Sequence, residues 1–172
     1  DDGRMKWYYQ TTPGEIWDYT ATQNMILAEL AIEGRQRSVI MQAPKNGFFY
    51  VLDRTTGELI SAMPFVYANW ASGIDSTGRP ILTDKANYRD RPAVVFPTQA
   101  GGHNWQPMAF HPGTGLVYIP AREEGMVMFG EAGYRWLPGD ANMGAGAIFG
   151  NLPTDFAASA ELPMVVTPGM RA

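Results

Sequence analysis

Short apolar runs separated by turn residues dominate the chain. The run at residues 25–32 contains Met, Leu, Ala and Glu, which favour helix. It is brief, however, and ends at Glu33-Gly34, which has hairpin-turn chemistry and leads into Ser-Val-Ile-Met-Gln at residues 38–42. The reading is therefore strand, turn, strand. Residues 47–53, Gly-Phe-Phe-Tyr-Val-Leu-Asp, form the clearest strand, aromatic and β-branched between Asn46-Gly47 and an Asp-Arg-Thr-Thr-Gly turn. Residues 58–65 supply the next strand, giving up to four strands between positions 25 and 65. Residues 69–98 are polar and punctuated by Pro and Gly, and read as a long connection with one short strand at 93–96. Two more short strands are expected at 105–110 and 116–120, around a turn at 111–115. Beyond residue 121 the pattern fades. Residues 141–150 are rich in Gly and Ala with almost no periodicity.

The turns repeat. Asp53-x-x-Thr56-Gly57 has weaker echoes at Asp75-x-Thr77-Gly78 and at His111-Pro-Gly-Thr114-Gly115, and Asp2-Gly3 precedes Trp7 in a similar way. Asp or Thr accepts local backbone hydrogen bonds, and Gly takes the left-handed position. Such recurrence between apolar runs marks a propeller-type repeat. Asp-Gly and Thr-Gly pairs are common in any β protein, so the recurrence carries the argument, not any one pair.

Composition narrows the class. The 172 residues suffice for one ordinary domain. With 45% hydrophobic and 17% charged residues the chain is globular, and 19 Gly and 13 Pro suit an all-β, turn-rich architecture. A net charge of −4 argues against a nucleic-acid partner, which needs a basic face. With no cysteine there is no disulfide, zinc-thiolate site or Cys-x-x-Cys-His haem attachment. No apolar run reaches membrane-span length, and no signal-peptide pattern opens the chain. The abrupt Asp1-Asp2-Gly3 start reads as the middle of something longer.

Candidate chemistry centres on residues 11–19, Thr-Thr-Pro-Gly-Glu-Ile-Trp-Asp-Tyr, where Asp18 stands between Trp17 and Tyr19. A carboxylate walled by rings loses water, which raises its pKa and suits a general base. An Asp after a Pro-Gly turn is more often a local cap. Its company reverses those odds. Trp-Tyr-Tyr-Gln-Thr-Thr-Pro-Gly-x-x-Trp-Asp-Tyr-Thr-Ala-Thr-Gln (7–23), Ala-Pro-Lys-Asn-Gly-Phe-Phe-Tyr-Val-Leu-Asp (43–53) and Gly-His-Asn-Trp-Gln-Pro-Met (102–108) together resemble the pyrroloquinoline quinone (PQQ) dependent alcohol dehydrogenases. The three blocks stand in that family's order and cover residues 1 to about 130.

The resemblance implies an all-β fold: about two blades of an eight-bladed β-propeller of four-stranded antiparallel sheets, with long irregular loops. Within it, residues 1–24 would carry the catalytic Asp, 25–66 the most complete blade, 67–104 a long connection, and 105–172 a partial blade and tail. The turns become the family's tryptophan-docking motif, with Trp7 kept and Ser61 and Leu82 in its place in later copies. The implied activity is oxidation of primary alcohols to aldehydes by hydride transfer to PQQ, with calcium as Lewis acid. Asp18 matches the catalytic base. Lys45 matches the basic residue that hydrogen-bonds the quinone oxygens. Asn104 and Trp105 match an Asn-Trp pair at the cofactor, the Trp105 ring being either a contact at the ring's edge or core. Thr20 stands where lanthanide-using relatives carry a second Asp, which points to calcium. Cytochrome c or a membrane quinone is the implied electron acceptor, and the periplasm the implied compartment.

His103 and His111 have no partner at metal-ligand spacing and read as loop or surface residues. The ten Met residues read as core filling. The family's calcium ligands, its vicinal cysteine pair, its floor tryptophan and its haem domain have no match here, so these residues alone are not expected to bind PQQ tightly or to turn over. Two other readings stay open: a noncatalytic β-propeller scaffold that binds partners, and a related quinoprotein acting on sugars or polyols.

Overall fold

The computed structural model describes residues 2–148. It is built from eleven strands: β1 (Ile26–Ile32), β2 (Arg35–Gln42), β3 (Phe48–Asp53), β4 (Leu59–Pro64), β5 (Ala71–Ile74), β6 (Pro80–Leu82), β7 (Ala93–Val95), β8 (Ala109–His111), β9 (Leu116–Tyr118), β10 (Met126–Gly130) and β11 (Ala145–Ile148). All pairings are antiparallel. β1-β2-β3-β4 form one sheet in sequence order, β11-β10-β7 a second, and β5-β6 and β8-β9 two hairpins.

The four-stranded sheet follows the expected pattern. Glu33 and Gly34 both take positive φ (50° and 74°), as a two-residue hairpin turn of matching twist requires. Pairing then runs from Ile32↔Arg35 to Ile26↔Met41. Side chains alternate between the two faces of a strand, and here both faces are covered. Phe48 and Tyr50 of β3 enter a core with Trp17, Tyr19, Trp70, Val95 and Met126. Val39, Met41 and Val51 face the other way, against Phe110 and Val117 of the β8-β9 hairpin. A sheet packed on both faces reads as a near-continuous apolar run, which is why residues 47–53 stand out in the sequence.

Three expectations need correction. The stretch at 69–98 contains a hairpin, β5-β6, besides the expected strand at 93–95. Its strands are too short to show a period. Its turn was visible, with Asp75 Oδ1 accepting from the Thr77 and Arg79 N–H groups and Gly78 at φ 82°. The strand expected at 105–110 begins only at Ala109, because side chains take the preceding backbone: Asn24 Oδ1 accepts the Met108 N–H, and the His103 ring bonds the Gln106 carbonyl. Past residue 121 there is order after all. β10, fully buried over its first three residues, pairs with the distant β7, and Gly-Ala-rich β11 pairs with β10. Small residues suit β11, since a Cβ at Gly146 would lie 2.4 Å from the Phe129 ring. The end of the chain at 167–172, and most of the expected tail, lie outside the described residues.

The turn motif has a clear physical partner. The Trp7 indole lies on Gly57 so closely that a Cβ there would be 2.7 Å from the ring, and its N–H donates to the Arg54 carbonyl at 3.0 Å. Tyr9 does the same at the next turn, lying on Gly78 and donating its O–H to the Gly78 carbonyl at 2.9 Å. One extended segment, residues 7–9, thus closes two turns before the chain enters the kink that follows.

Candidate functional site

The site is built where that segment turns into the core. Trp17 and Tyr19 are buried, stacked on each other at 5.6 Å, and both rings lie against Trp70. Asp18 between them points the other way. Its φ is 65°, a left-handed conformation that costs an L-residue roughly 1–2 kcal/mol, least for Asp, Asn and Gly. The kink keeps both flanking rings inside and leaves the Asp18 side chain 59% exposed. The rings therefore do not wall the carboxylate, as adjacency in the sequence had implied. They anchor its backbone from behind.

Local hydrogen bonds hold the kink. Glu15 Oε1 accepts from the N–H groups of Trp17 (2.5 Å) and Tyr19 (2.7 Å), either side of Asp18. Tyr88 donates its O–H to the Ile16 carbonyl. Tyr19 donates its O–H to the Pro97 carbonyl at 2.5 Å. Burial, and secondly the Glu15 carboxylate, push the Tyr19 phenol well above its ordinary pKa, so it stays a neutral donor.

Lys45 meets Asp18 directly. Its Nζ donates to Asp18 Oδ2 at 3.1 Å and to the Asp18 carbonyl at 3.0 Å, and its side chain is 11% exposed against 59% for Asp18. A pair exposed on one side contributes only about 0–1 kcal/mol to stability. Its interest is chemical. An ammonium has three N–H donors, and two are used. Asp18 Oδ1 accepts no hydrogen bond among the described residues.

The loop that carries Lys45 is tied to its neighbours on every side. Asn46 is fully buried and donates to the Thr11 carbonyl, Thr12 Oγ1 and Tyr50 Oη, while its own Oδ1 accepts the Phe48 N–H. The Gly102 N–H donates to the Lys45 carbonyl at 2.9 Å. Gly101 sits so tightly on Lys45 that a Cβ would be 2.6 Å from Lys45 Cα. His103, expected in a loop or at the surface, does lie in a loop but is 0% exposed. Its ring bonds the Ala43 and Gln106 carbonyls, and its own carbonyl accepts from Gln23 Nε2. His111 is exposed on β8, as expected of a surface residue. Polar groups buried in this way cost free energy unless hydrogen-bonded, so the network fixes the loop in one arrangement.

Asn104 and Trp105 follow on the same loop. Asn104 donates one side-chain N–H to the Ala100 carbonyl at 2.7 Å. Its other amide N–H and its Oδ1 are unused among the described residues. Trp105 is 78% exposed among the described residues. Thus Asp18 and Lys45 are in contact, and the 101–105 loop is stitched to Lys45 through its backbone. An open cleft of about 730 Å³ beside Arg89, Phe129 and Tyr134 contains none of the four.

Glu15 and Asn46 carry no role in the sequence motifs, and His103 reads there only as a loop or surface residue. Glu15 was legible in principle, as an acid three positions before an Asp that follows a Pro-Gly turn. Asn46 and His103 were not, because besides near neighbours each draws on partners far along the chain, Thr11 and Thr12 for Asn46 and Ala43 and Gln23 for His103.

The donors present fit a flat, acidic quinone: one free ammonium N–H on Lys45, one amide N–H on Asn104 and an exposed indole on Trp105. They do not make a metal centre. No group of three or more His, Cys, Asp or Glu side chains able to hold an ion occurs among the described residues.

Residues 1–66 match the family model described as PQQ: Glucose/ethanol/alcohol dehydrogenase, beta-propeller domain. The quinohemoprotein alcohol dehydrogenase ADH IIB of Pseudomonas putida is 56% identical over 124 residues, covering 72% of this chain and 18% of that protein. The 1-butanol dehydrogenase (cytochrome c) of Thauera butanivorans is 43% identical over 155 residues, 88% of this chain and 22% of the relative. The solved structure of ADHIIG from Pseudomonas putida HK5, also a quinohemoprotein alcohol dehydrogenase, superposes with a TM-score of 0.77 at 51% identity, covering 86% of this chain and 22% of that one. The chain spans about a fifth of the length of these relatives. By sequence and by fold, this chain belongs to the PQQ-dependent alcohol dehydrogenase family, as a section of its β-propeller domain.

Proposed function

We propose that the protein carrying this chain oxidises primary alcohols to aldehydes, with Asp18 as general base and Lys45, Asn104 and Trp105 at the cofactor. The observation that carries the reading is the Asp18–Lys45 contact at 3.1 Å, which among the described residues leaves one oxygen of the exposed Asp18 carboxylate and one N–H of the largely buried Lys45 ammonium without a partner. When bound, PQQ supplies the quinone carbonyl carbon that accepts the hydride from the alcohol's C1. Asp18 Oδ1 takes the hydroxyl proton, which a positioned carboxylate does efficiently. The free Lys45 N–H stabilises negative charge developing on an oxygen held against it. The Asn104 amide offers a further N–H or an acceptor, and the exposed Trp105 ring gives a flat apolar edge.

Calcium, the Lewis acid of this proposal, would draw its ligands from parts of the protein other than these residues. Thr20 supports calcium over a lanthanide, because a trivalent ion favours one more anionic oxygen than Thr offers. Purified full-length protein reconstituted with PQQ should then reduce dye with a primary alcohol in calcium and stay inactive in lanthanide. Activity with lanthanide alone would reverse the metal assignment. A protein inert to alcohols with PQQ and either metal would favour the noncatalytic scaffold. We further propose periplasmic residence, and cytochrome c or a membrane quinone as acceptor; the Thauera butanivorans relative, a 1-butanol dehydrogenase (cytochrome c), favours cytochrome c.

A further inference from the structure

We propose that Glu15 is a positioning residue for Asp18: its carboxylate sets the left-handed kink that aims the base. The inference rests on the reading of Asp18 as base. Glu15 Oε1 accepts the N–H groups of Trp17 and Tyr19, the two peptides that flank Asp18. A single oxygen can reach both only when the residue between them is turned, and Asp18 is turned, at φ 65°. In an extended strand the amides of 17 and 19 would seek strand partners. The Glu15 carboxylate takes both amides instead.

Other contacts clamp the ends of the kink without setting the angle at its centre. Tyr88 holds the Ile16 carbonyl, Tyr19 holds Pro97, and the two rings beside Asp18 are packed on Trp70. Lys45 grips Asp18 from the far side, at its carbonyl and its Oδ2. Glu15 and Lys45 therefore oppose each other across one residue, one through backbone N–H groups and the other through oxygens. Without Glu15 the 16–17 and 18–19 peptides keep only their carbonyl-side bonds, to Tyr88 and Lys45, and can tilt about them, so Oδ1 moves relative to Lys45. Misplacing a reacting group by about 1 Å costs on the order of a hundredfold in rate.

The test uses the full-length holoenzyme. Glu15→Ala removes the acceptor, Glu15→Gln keeps an oxygen in its place, and Glu15→Asp keeps the charge but pulls it back by one methylene. Expected for Glu15→Ala is a fall in kcat of about tenfold to a hundredfold with KM nearly constant. The PQQ absorbance should be retained. Glu15→Gln should recover most of the rate. Amide hydrogen exchange at Trp17 and Tyr19, followed with and without cofactor, should accelerate in Glu15→Ala and stay near wild type in Glu15→Gln. If Glu15→Ala does not fold, Glu15→Asp carries the test, with faster exchange at both amides and a lower kcat at an unchanged thermal midpoint. A fully active Glu15→Ala beside an inactive Asp18→Asn would overturn the positioning role alone. Rate losses that track the thermal midpoint equally in all three variants would also overturn it. An active Asp18→Asn would remove the base assignment itself.

Discussion

One device serves two regions of this chain with different results. At the hairpin between β3 and β4, Asp53 Oδ1 accepts the N–H groups of Thr55 and Thr56, at 2.8 and 3.1 Å. At the kink, Glu15 Oε1 accepts those of Trp17 and Tyr19. In both, one carboxylate oxygen gathers two amides and a nearby residue turns left-handed. The hairpin gives that position to Gly57, at φ 77°, and the kink gives it to Asp18, at φ 65°. Glycine turns at little steric cost and leaves a flat surface, which the Trp7 ring covers. Aspartate turns at a cost, and the turn exposes a reactive side chain with its neighbours locked inside. The same kind of hydrogen bonding makes a structural seam in one place and, in the proposed function, a chemical one in the other.

The comparison breaks most visibly at the turned residue of the kink. Asp18→Asn in the full-length protein keeps size and hydrogen bonding but cannot take a proton. Dye-linked alcohol oxidation should fall by about a hundredfold to ten-thousandfold at an unchanged thermal midpoint. Removing the opposite grip comes next. Lys45→Ala should lower kcat by about a hundredfold and weaken PQQ retention on dialysis, since one charged donor is lost both to the cofactor and to Asp18.

At the hairpin the expected effects are on stability and not on rate. Gly57→Ala meets both an unfavourable φ and the Trp7 ring, so it should destabilise by about 2–4 kcal/mol in urea unfolding. Gly115 turns similarly, at φ 70°, but has nothing within 4 Å of a would-be Cβ. Gly115→Ala should therefore cost only about 1–2 kcal/mol. Equal costs for the two would mean that the docked ring contributes nothing.

The smallest expected effect is on acid stability. Backbone N–H bonds from Thr55, then from Thr56, and the nearby Arg37 guanidinium hold the Asp53 carboxyl below its ordinary value of 3.8. A carboxyl whose pKa is lower when folded stabilises the fold above 3.8 and loses that contribution as pH falls through the folded value. Asp75 behaves in the same way, through Thr77 and Arg79. Urea midpoints measured from neutral pH down to about 3 should fall less steeply in Asp53→Asn than in the parent.

Much of this was legible from residue order. The first four strands follow from apolar runs bounded by Glu33-Gly34, Asn46-Gly47 and the Asp53–Gly57 turn, because hairpin signals are local. The motifs around Asp18, Lys45 and Asn104 were legible through resemblance. The β5-β6 hairpin was hidden by its length, and the pairing of β10 by a partner strand, β7, that lies before the β8-β9 hairpin in the chain. Local pattern does not record such pairings.

By itself, then, the sequence determined the all-β class and the turns at 33–34 and 53–57, since turn chemistry depends on neighbours a few positions apart, and it named the candidate groups through resemblance. The tertiary structure alone decided which way those groups face. It turned Asp18 outward while its two neighbours went in, brought Lys45 against it, buried His103 beneath the Lys45 loop and left Trp105 in the open. The physical reason is that a side chain's direction is set by backbone dihedrals and by hydrogen-bond partners. Here the latter range from Glu15, close by in the chain, to the carbonyls of Ala43 and Pro97, far along it.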